Sequence, residues 1–385
     1  ANDGTGSTLR AAFDICNDNF TEIYGGTTSA LGFKAEGTNF TGSLLIGHST
    51  TGTIDNAFYN TALGIGALDA LTTGDTNVAV GYNAGTSINS GETNVVIGAY
   101  SGDALTTGDR NVAIGYQALS AEDTGHRNVA VGYNALQVQN YGDNNYNVAV
   151  GYNAGSSVTS GLQNTIVGGL AGDALTTGNY NTAVGYEALS TEDAHGYNTA
   201  VGWGALKLLN AGADAGNVAV GMQAGNVMST GRYNSILGSY AGDALTTGWS
   251  NVAIGYLALS TEDTGSDSIA IGRAALSVQN YDGSAYNIAI GRDAGKAVTT
   301  GVENVLIGGG AGDALTTGGR NVAIGHEALS TEDETGYAVA IGYQALRAQN
   351  SGSNTYNVAI GYNAGETVTT GTHNVLLGGL SGDAL

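Results

Sequence analysis

Twenty short strands ending on glycine follow one another between Ser43 and Leu385, and from Gly98 onward their spacing cycles through 17, 17, 19 and 17 residues. Those four steps make a block of 70 residues. The phrase GDALTTG marks the same block independently, with its aspartate at Asp103, Asp173, Asp243 and Asp313 and again at Asp383. Fixed periods of this length belong to solenoids and arrays, in which each repeat buries its apolar face only against its neighbours. The spacing therefore predicts an all-β fold, a repetitive parallel β-solenoid or β-roll of about 20 coils. Length alone would suggest several globular domains, but one repeat grammar overrides that count. The chain divides into an attachment and registration segment with a short helix (1–24), a linker or neck (25–42) and a solenoid shaft (43–385).

Within a unit such as Asn111-Val-Ala-Ile-Gly-Tyr-Gln-Ala-Leu119, β-branched residues alternate with alanine, the period of a half-buried strand. The fourth position is aliphatic in every unit (Val80, Ile97, Ile114, Val131), and stacked at about 4.8 Å it predicts a continuous apolar ladder as the core. The fifth is always glycine (Gly81, Gly98, Gly115, Gly132, Gly151, Gly168), which calls for a positive φ or for close approach of another backbone. The opening asparagine is expected to stack into a hydrogen-bonded ladder. One unit in four replaces the third-position alanine by Val96, Ile166, Ile236, Leu306 or Leu376, and its sixth residue, often tyrosine elsewhere, by Ala99, Gly169, Ser239, Gly309 or Gly379. That correlated exchange suggests one shared packing space.

A coil of 17 residues points few side chains inward, a thin core against about 1 to 2 kcal/mol of backbone entropy per ordered residue. Alanine and glycine on the strand suit close neighbouring subunits. The expectation is a parallel homotrimer about a common axis, forming a rod near 95 Å at about 4.8 Å per coil.

Sixty-four glycines, no proline and 11% charged residues fit a chain that turns often and pairs its backbone throughout. The net charge of -22 arises from scarce Lys and Arg and argues against a nucleic-acid partner. Cys16, the sole cysteine, excludes a disulfide framework. No apolar run approaches the roughly 18 residues of a membrane helix, so no membrane insertion is expected, and the start at Ala1 lacks an export signal.

The segment TLRAAFDICNDNFTEIY differs from the repeats. Leu9, Phe13, Cys16, Phe20 and Ile23 are spaced 4, 3, 4 and 3, the seam of a short helix that starts or registers a trimer or packs on its own shaft. The stretch from Ala1 to Tyr24, ANDGTGSTLRAAFDICNDNFTEIY, resembles a segment of tail-fibre and other virion proteins of tailed phages, especially those of marine cyanobacteria. The repeats resemble the Asn-Thr-Ala-Ile-Gly-Tyr-x-Ala-Leu arrays of phage fibres and, less closely, the heads of trimeric autotransporter adhesins. The resemblance implies attachment to a virion protein through the N-terminal part, a trimeric shaft, and contact with a host receptor or glycan through a distal tip beyond the sequence given. It implies a virion location, or an extracellular or cell-surface one for the adhesin.

Acidic pairs recur once per block at Glu122/Asp123, Glu192/Asp193, Glu262/Asp263 and Glu332/Asp333. They read as solvated turns, with a loop-mounted Ca²⁺ site as the alternative. The five histidines (His48, His126, His195, His326, His373) occupy different phases and form no shared metal motif, and Gly4-Thr5-Gly6 lacks the lysine of a phosphate loop. No nucleophile, base and orienting acid can be assembled, so no catalytic residue and no cofactor is expected; a glycan-cleaving tailspike is the enzyme alternative. The two extra residues within 128–146, 198–216, 268–286 and 338–356 should protrude as loops at about 19 Å intervals. Those with Tyr141 and Tyr281 are candidates for glycan contact. The expected function is a non-enzymatic tail-fibre shaft involved in host attachment, with a surface adhesin or extracellular filament as alternative; an ice-binding solenoid would need a more regular threonine array.

Overall fold

The computed structural model describes residues 33–37, 40–47 and 54–383. Two compact units meet in sequence between Asn164 and Thr165. Both are parallel β-solenoids with one short strand per coil.

In the first unit, strand β1 (Phe33–Gly37) runs antiparallel to β2 (Phe40–Ile46), pairing Phe33 with Ile46 and Gly37 with Phe40. Strand structure thus occupies part of the segment expected as a linker. It also pairs the otherwise open edge of β2, a common protection for an edge strand. From β2 the chain climbs in parallel register through β3 (Thr61–Leu63) to β8 (Val148–Val150). The second unit repeats the arrangement from β9 (Thr165–Val167) to β21 (Val375–Leu377). Register is strict: Val112 faces Val129, Ala113 faces Ala130 and Ile114 faces Val131.

From β3 onward each strand lasts only three residues because left-handed residues bracket it. In the coil opened by Asn111, Arg110 has φ 59°, Gly115 137°, Gln117 51° and Leu119 54°. Non-glycine residues there cost roughly 1–2 kcal/mol each, so the surrounding ladder must hold them. Gly115 meets both conditions expected of the fifth position. Its φ is nearly closed to L-residues, and a Cβ on it would lie 2.2 Å from the carbonyl oxygen of Gly132 in the next coil. The backbone that approaches is the chain's own, so the glycine column needs no neighbouring subunit to explain it.

The asparagine ladder forms as expected. Asn128 donates its backbone N–H to Oδ1 of Asn111 (2.9 Å), and the Asn111 amide donates to the carbonyl of Gly125 (2.9 Å). These side chains are fully buried, so each satisfies backbone groups that water cannot reach.

The core lies on the opposite face of the strand from the one expected. The third residue is the buried one (Ala113, Ala130, Ala149 at 0% exposure), while the second and fourth face outward and are only half-covered. Ile114 and Val131 do stack as a ladder, but on the outside. The reason is steric: the inner side of a narrow coil has room for alanine beside the buried alanine at position eight and leucine at position nine (Ala118, Leu119).

The bulk exchange is corrected on the same basis. Tyr116 and Tyr152, at position six, are exposed and share no space with position three. The partners of a large third residue are the ninth positions of its own coil and of the coil before, both glycine where most other coils have leucine. A Cβ on Gly102 would come within 2.8 Å of Val96, and one on Gly312 within 2.7 Å of Leu306. The glycine of the preceding coil gives room too, since a Cβ on Gly85 would come within 2.9 Å of Val96 and one on Gly295 within 2.6 Å of Leu306, so each large residue fills the space left by two glycines.

Candidate functional site

The twelfth position of each coil points inward and is apolar in most of them: Leu71, Ile88, Leu105, Val158 and Leu175 are all buried. Into this column each 70-residue block inserts a glutamate: Glu122, Glu192, Glu262 and Glu332, all at 0% exposure. The acidic pairs are therefore not solvated turns; one member of each lies in the core.

A buried carboxylate must be matched by donors. Glu122 accepts from Gly125 N (2.8 Å), Gln139 Nε2 (3.1 Å) and Asn145 Nδ2 (2.9 Å), with Tyr141 N at 3.4 Å. Gln139 occupies position twelve of the next coil and passes the network on, its Oε1 accepting from Asn147 Nδ2 (2.9 Å). Glu262 repeats this with Gly265 N (2.8 Å) and Gln279 Nε2 (2.9 Å), and Glu332 with Thr335 N (3.3 Å) and Gln349 Nε2 (3.2 Å). Burial pushes the Glu122 and Glu262 carboxyls above their ordinary range, against the opposing pull of these hydrogen bonds. The two extra residues of the long coils serve this network: the loops that hold Tyr141 and Tyr281 deliver backbone N–H groups to the glutamates.

These contacts bear on the expected Ca²⁺ sites. At Glu122, Glu262 and Glu332 the acceptor positions a hard cation would use are turned to protein N–H donors. Asp123 and Asp263 turn instead to the adjacent Thr124 and Thr264. Asp333, like Asp123, Asp193 and Asp263, bonds the preceding coil through its main chain. It is half-buried, and it ties its coil to the preceding one through its backbone carbonyl, which accepts from Thr316 N (2.6 Å) and Thr316 Oγ1 (2.9 Å). Among the described residues, one group brings three ligating side chains within 4.8 Å of one another, and it contains none of Asp123, Asp263 and Asp333: it is Glu192, Asp193 and His195. Here His195 stands where Gly125 and Gly265 stand in other blocks, and its Nδ1 lies 3.2 Å from Oε1 of Glu192. A residue-by-residue alignment of the four blocks would have exposed both the twelfth-position column and this substitution. The Asp103, Asp173, Asp243 and Asp313 carboxyls are likewise raised by burial, and each has an Oδ1 without a hydrogen-bond partner.

The other described histidines have separate surroundings. His126 accepts from Asp109 N (2.9 Å), His326 stacks on Tyr343 and His373 lies against Tyr356. His48 and the seam residues Leu9, Phe13, Cys16, Phe20 and Ile23 lie outside the described residues.

The largest chemically uniform surface is the outer side of the sheet. Positions two and four carry aliphatic residues, with Thr or Ser at position two of a few coils, and no charged residue in any coil. Val218 is 44%, Ile290 37% and Ile360 40% exposed. Aromatic columns flank this face on both sides. In the second unit, Tyr343 and Tyr362 stack at 5.3 Å on one side, and Tyr337 and Tyr356 at 5.1 Å on the other. Other tyrosines meet edge to face, as Tyr82 with Tyr100 and Tyr240 with Tyr256. Tyr141 and its neighbours Gly142 and Asp143 are exposed, so that long-coil loop is surface, as expected. No protein-family model, curated protein or solved structure matches this chain.

Proposed function

We propose that this chain is a non-enzymatic structural shaft, a parallel homotrimer whose subunits cover one another's outer sheet face, serving as the stiff segment of a phage tail fibre. The observation that carries the reading is the uncharged aliphatic outer face of the parallel strands. Parallel sheets are covered on both faces, and the interior covers only one. On a chain of net charge -22, a charge-free strip repeated in every coil is the surface on which copies can meet. Neighbouring copies placed there would bury the Val and Ile columns and the edges of the flanking tyrosines. The resemblance of residues 1–24 and of the repeats to virion fibres supplies the virion setting, with the N-terminal end toward the particle and a distal tip toward the host.

The buried glutamate networks belong to the same reading. Each pairs two adjacent coils and fixes which coil stacks on which, a registry role that buried polar groups are known to serve. Antibodies raised against the repeats, imaged by electron microscopy, test the placement. Label along fibres of phage particles is the expected result. Label on the envelope of uninfected bacteria, with none on particles, would overturn it in favour of a cell-surface adhesin.

A further inference from the structure

The Glu192 site departs from its counterparts in two independent ways. The glutamine amide that serves the other three, Gln139, Gln279 or Gln349, is missing, with Leu209 in its place. Glu192 Oε2 keeps the backbone donor that Tyr141 gives Glu122, here Ala211 N at 3.2 Å. At the same time the small residue of the turn becomes His195, whose Nδ1 and backbone N lie 3.2 and 3.1 Å from Oε1 of the same carboxylate. The Asp193 side chain converges on the pair. A buried carboxylate that has lost its side-chain amide donor requires compensation, and a second carboxylate beside it raises the need for positive charge.

We propose that Glu192, Asp193 and His195 bind one divalent transition-metal cation of the Zn²⁺ class. Tetrahedral coordination with bonds of 2.0–2.1 Å sets ligand atoms about 3.3 Å apart, and the observed oxygen-to-nitrogen separation is 3.2 Å. One imidazole and two carboxylates form the mixed donor set that Zn²⁺ and its neighbours accept, whereas Ca²⁺ takes six to eight oxygens. Glu192 approaches from the core, fully buried, while the His195 side chain is 24% exposed and Asp193 is open to solvent. That leaves an entry path and room for water as the fourth ligand. Among the described residues the site occurs once, because its determinants, His195 and Leu209, occur together in one block. The cation would tie the turn after Glu192 to the core of its coil.

The test is Zn²⁺ titration of the full chain by calorimetry, with Co²⁺ absorption as a second readout of nitrogen and oxygen ligation. The wild type is expected to show one saturable site more than His195→Gly, a residue already present at positions 125 and 265. Asp193→Asn should weaken that site about tenfold. Leu209→Gln restores the amide that Glu122 receives, and should weaken Zn²⁺ binding while leaving the fold intact. Equal stoichiometry and affinity in wild type and His195→Gly, or no saturable binding by the wild type, would overturn the proposal. Should His195→Gly fail to fold by circular dichroism, Leu209→Gln and Asp193→Asn decide it by the same comparison.

Discussion

Replacing Gly325 by alanine tests the claim that the chain's own coils, stacked backbone to backbone, dictate the fifth-position glycine. Its φ is +138°, and a Cβ there would lie 2.2 Å from the carbonyl oxygen of Gly342 and 2.5 Å from its carbon. Real Cβ contacts essentially never fall below 3.0 Å, so the two coils must separate by roughly 0.8 Å locally. The bonds from Gly325 N to Ile307 O and from Gly342 N to Ile324 O, both 2.7 Å, sit beside that displacement and would stretch beyond useful geometry. Backbone strain of about 1–3 kcal/mol and about 1 kcal/mol for each weakened ladder bond put the loss at no less than about 3 kcal/mol. Gly352→Ala is the control: its φ of +67° is an ordinary left-handed value with nothing within 4 Å, so about 1 kcal/mol is expected. Guanidinium unfolding gives the difference, and hydrogen exchange at the 307, 324 and 342 strands shows whether it is local, which matters in a repeat array that need not unfold in two states. Equal losses in the two variants would refute the close-approach argument.

Ala338 interrupts the asparagine ladder where the equivalent position of another block holds Asn128, so Ala338→Asn should stabilise the chain by about 1 kcal/mol in thermal melts, through a bond to the next coil like that from Asn147 N to Asn128. Leu306→Ala should cost about 2–5 kcal/mol as a cavity, and adding Gly312→Leu should recover most of it, because Ala with Leu at these positions is the combination of Ala200 and Leu206; losses that merely add would contradict the packing exchange. The Glu122 and Glu262 carboxyls are raised in the folded state, so their stabilising contribution is complete below the ordinary carboxylate pKa and is lost as pH rises through the folded value. Stability should therefore fall as pH rises from about 4, by at most about 1.4 kcal/mol per pH unit for each group. Glu262→Gln should flatten the slope while lowering the baseline, since its amide meets N–H donors; an unchanged slope in denaturation series would contradict the assignment.

Period and strand position could be read directly in the sequence because each coil repeats the same steric problem: glycine where backbones touch, asparagine where buried backbone groups need a partner. Which face of the strand is the core could not. With Val, Ala, Ile and Gly in succession both faces are apolar, and period-two alternation gives no sign of which side is in. Bulk suggested the β-branched side, whereas a coil this narrow takes the smaller residue inward. The glutamates misled for a related reason: Glu-Asp beside Thr-Gly has the composition of an exposed turn, and only the phase of Leu71, Ile88 and Leu105 places Glu122 in their column. His195 became meaningful only against Gly125 and Gly265, and against the loss of the glutamine of the other blocks at Leu209.

The mass of the purified chain in solution, by light scattering, bears most directly on the proposal that copies of the chain cover the aliphatic outer face. Three times the 38.5 kDa chain mass is the predicted result. A folded, stable species at the single-chain mass would contradict it, leaving the Val and Ile columns open to water on a self-sufficient solenoid.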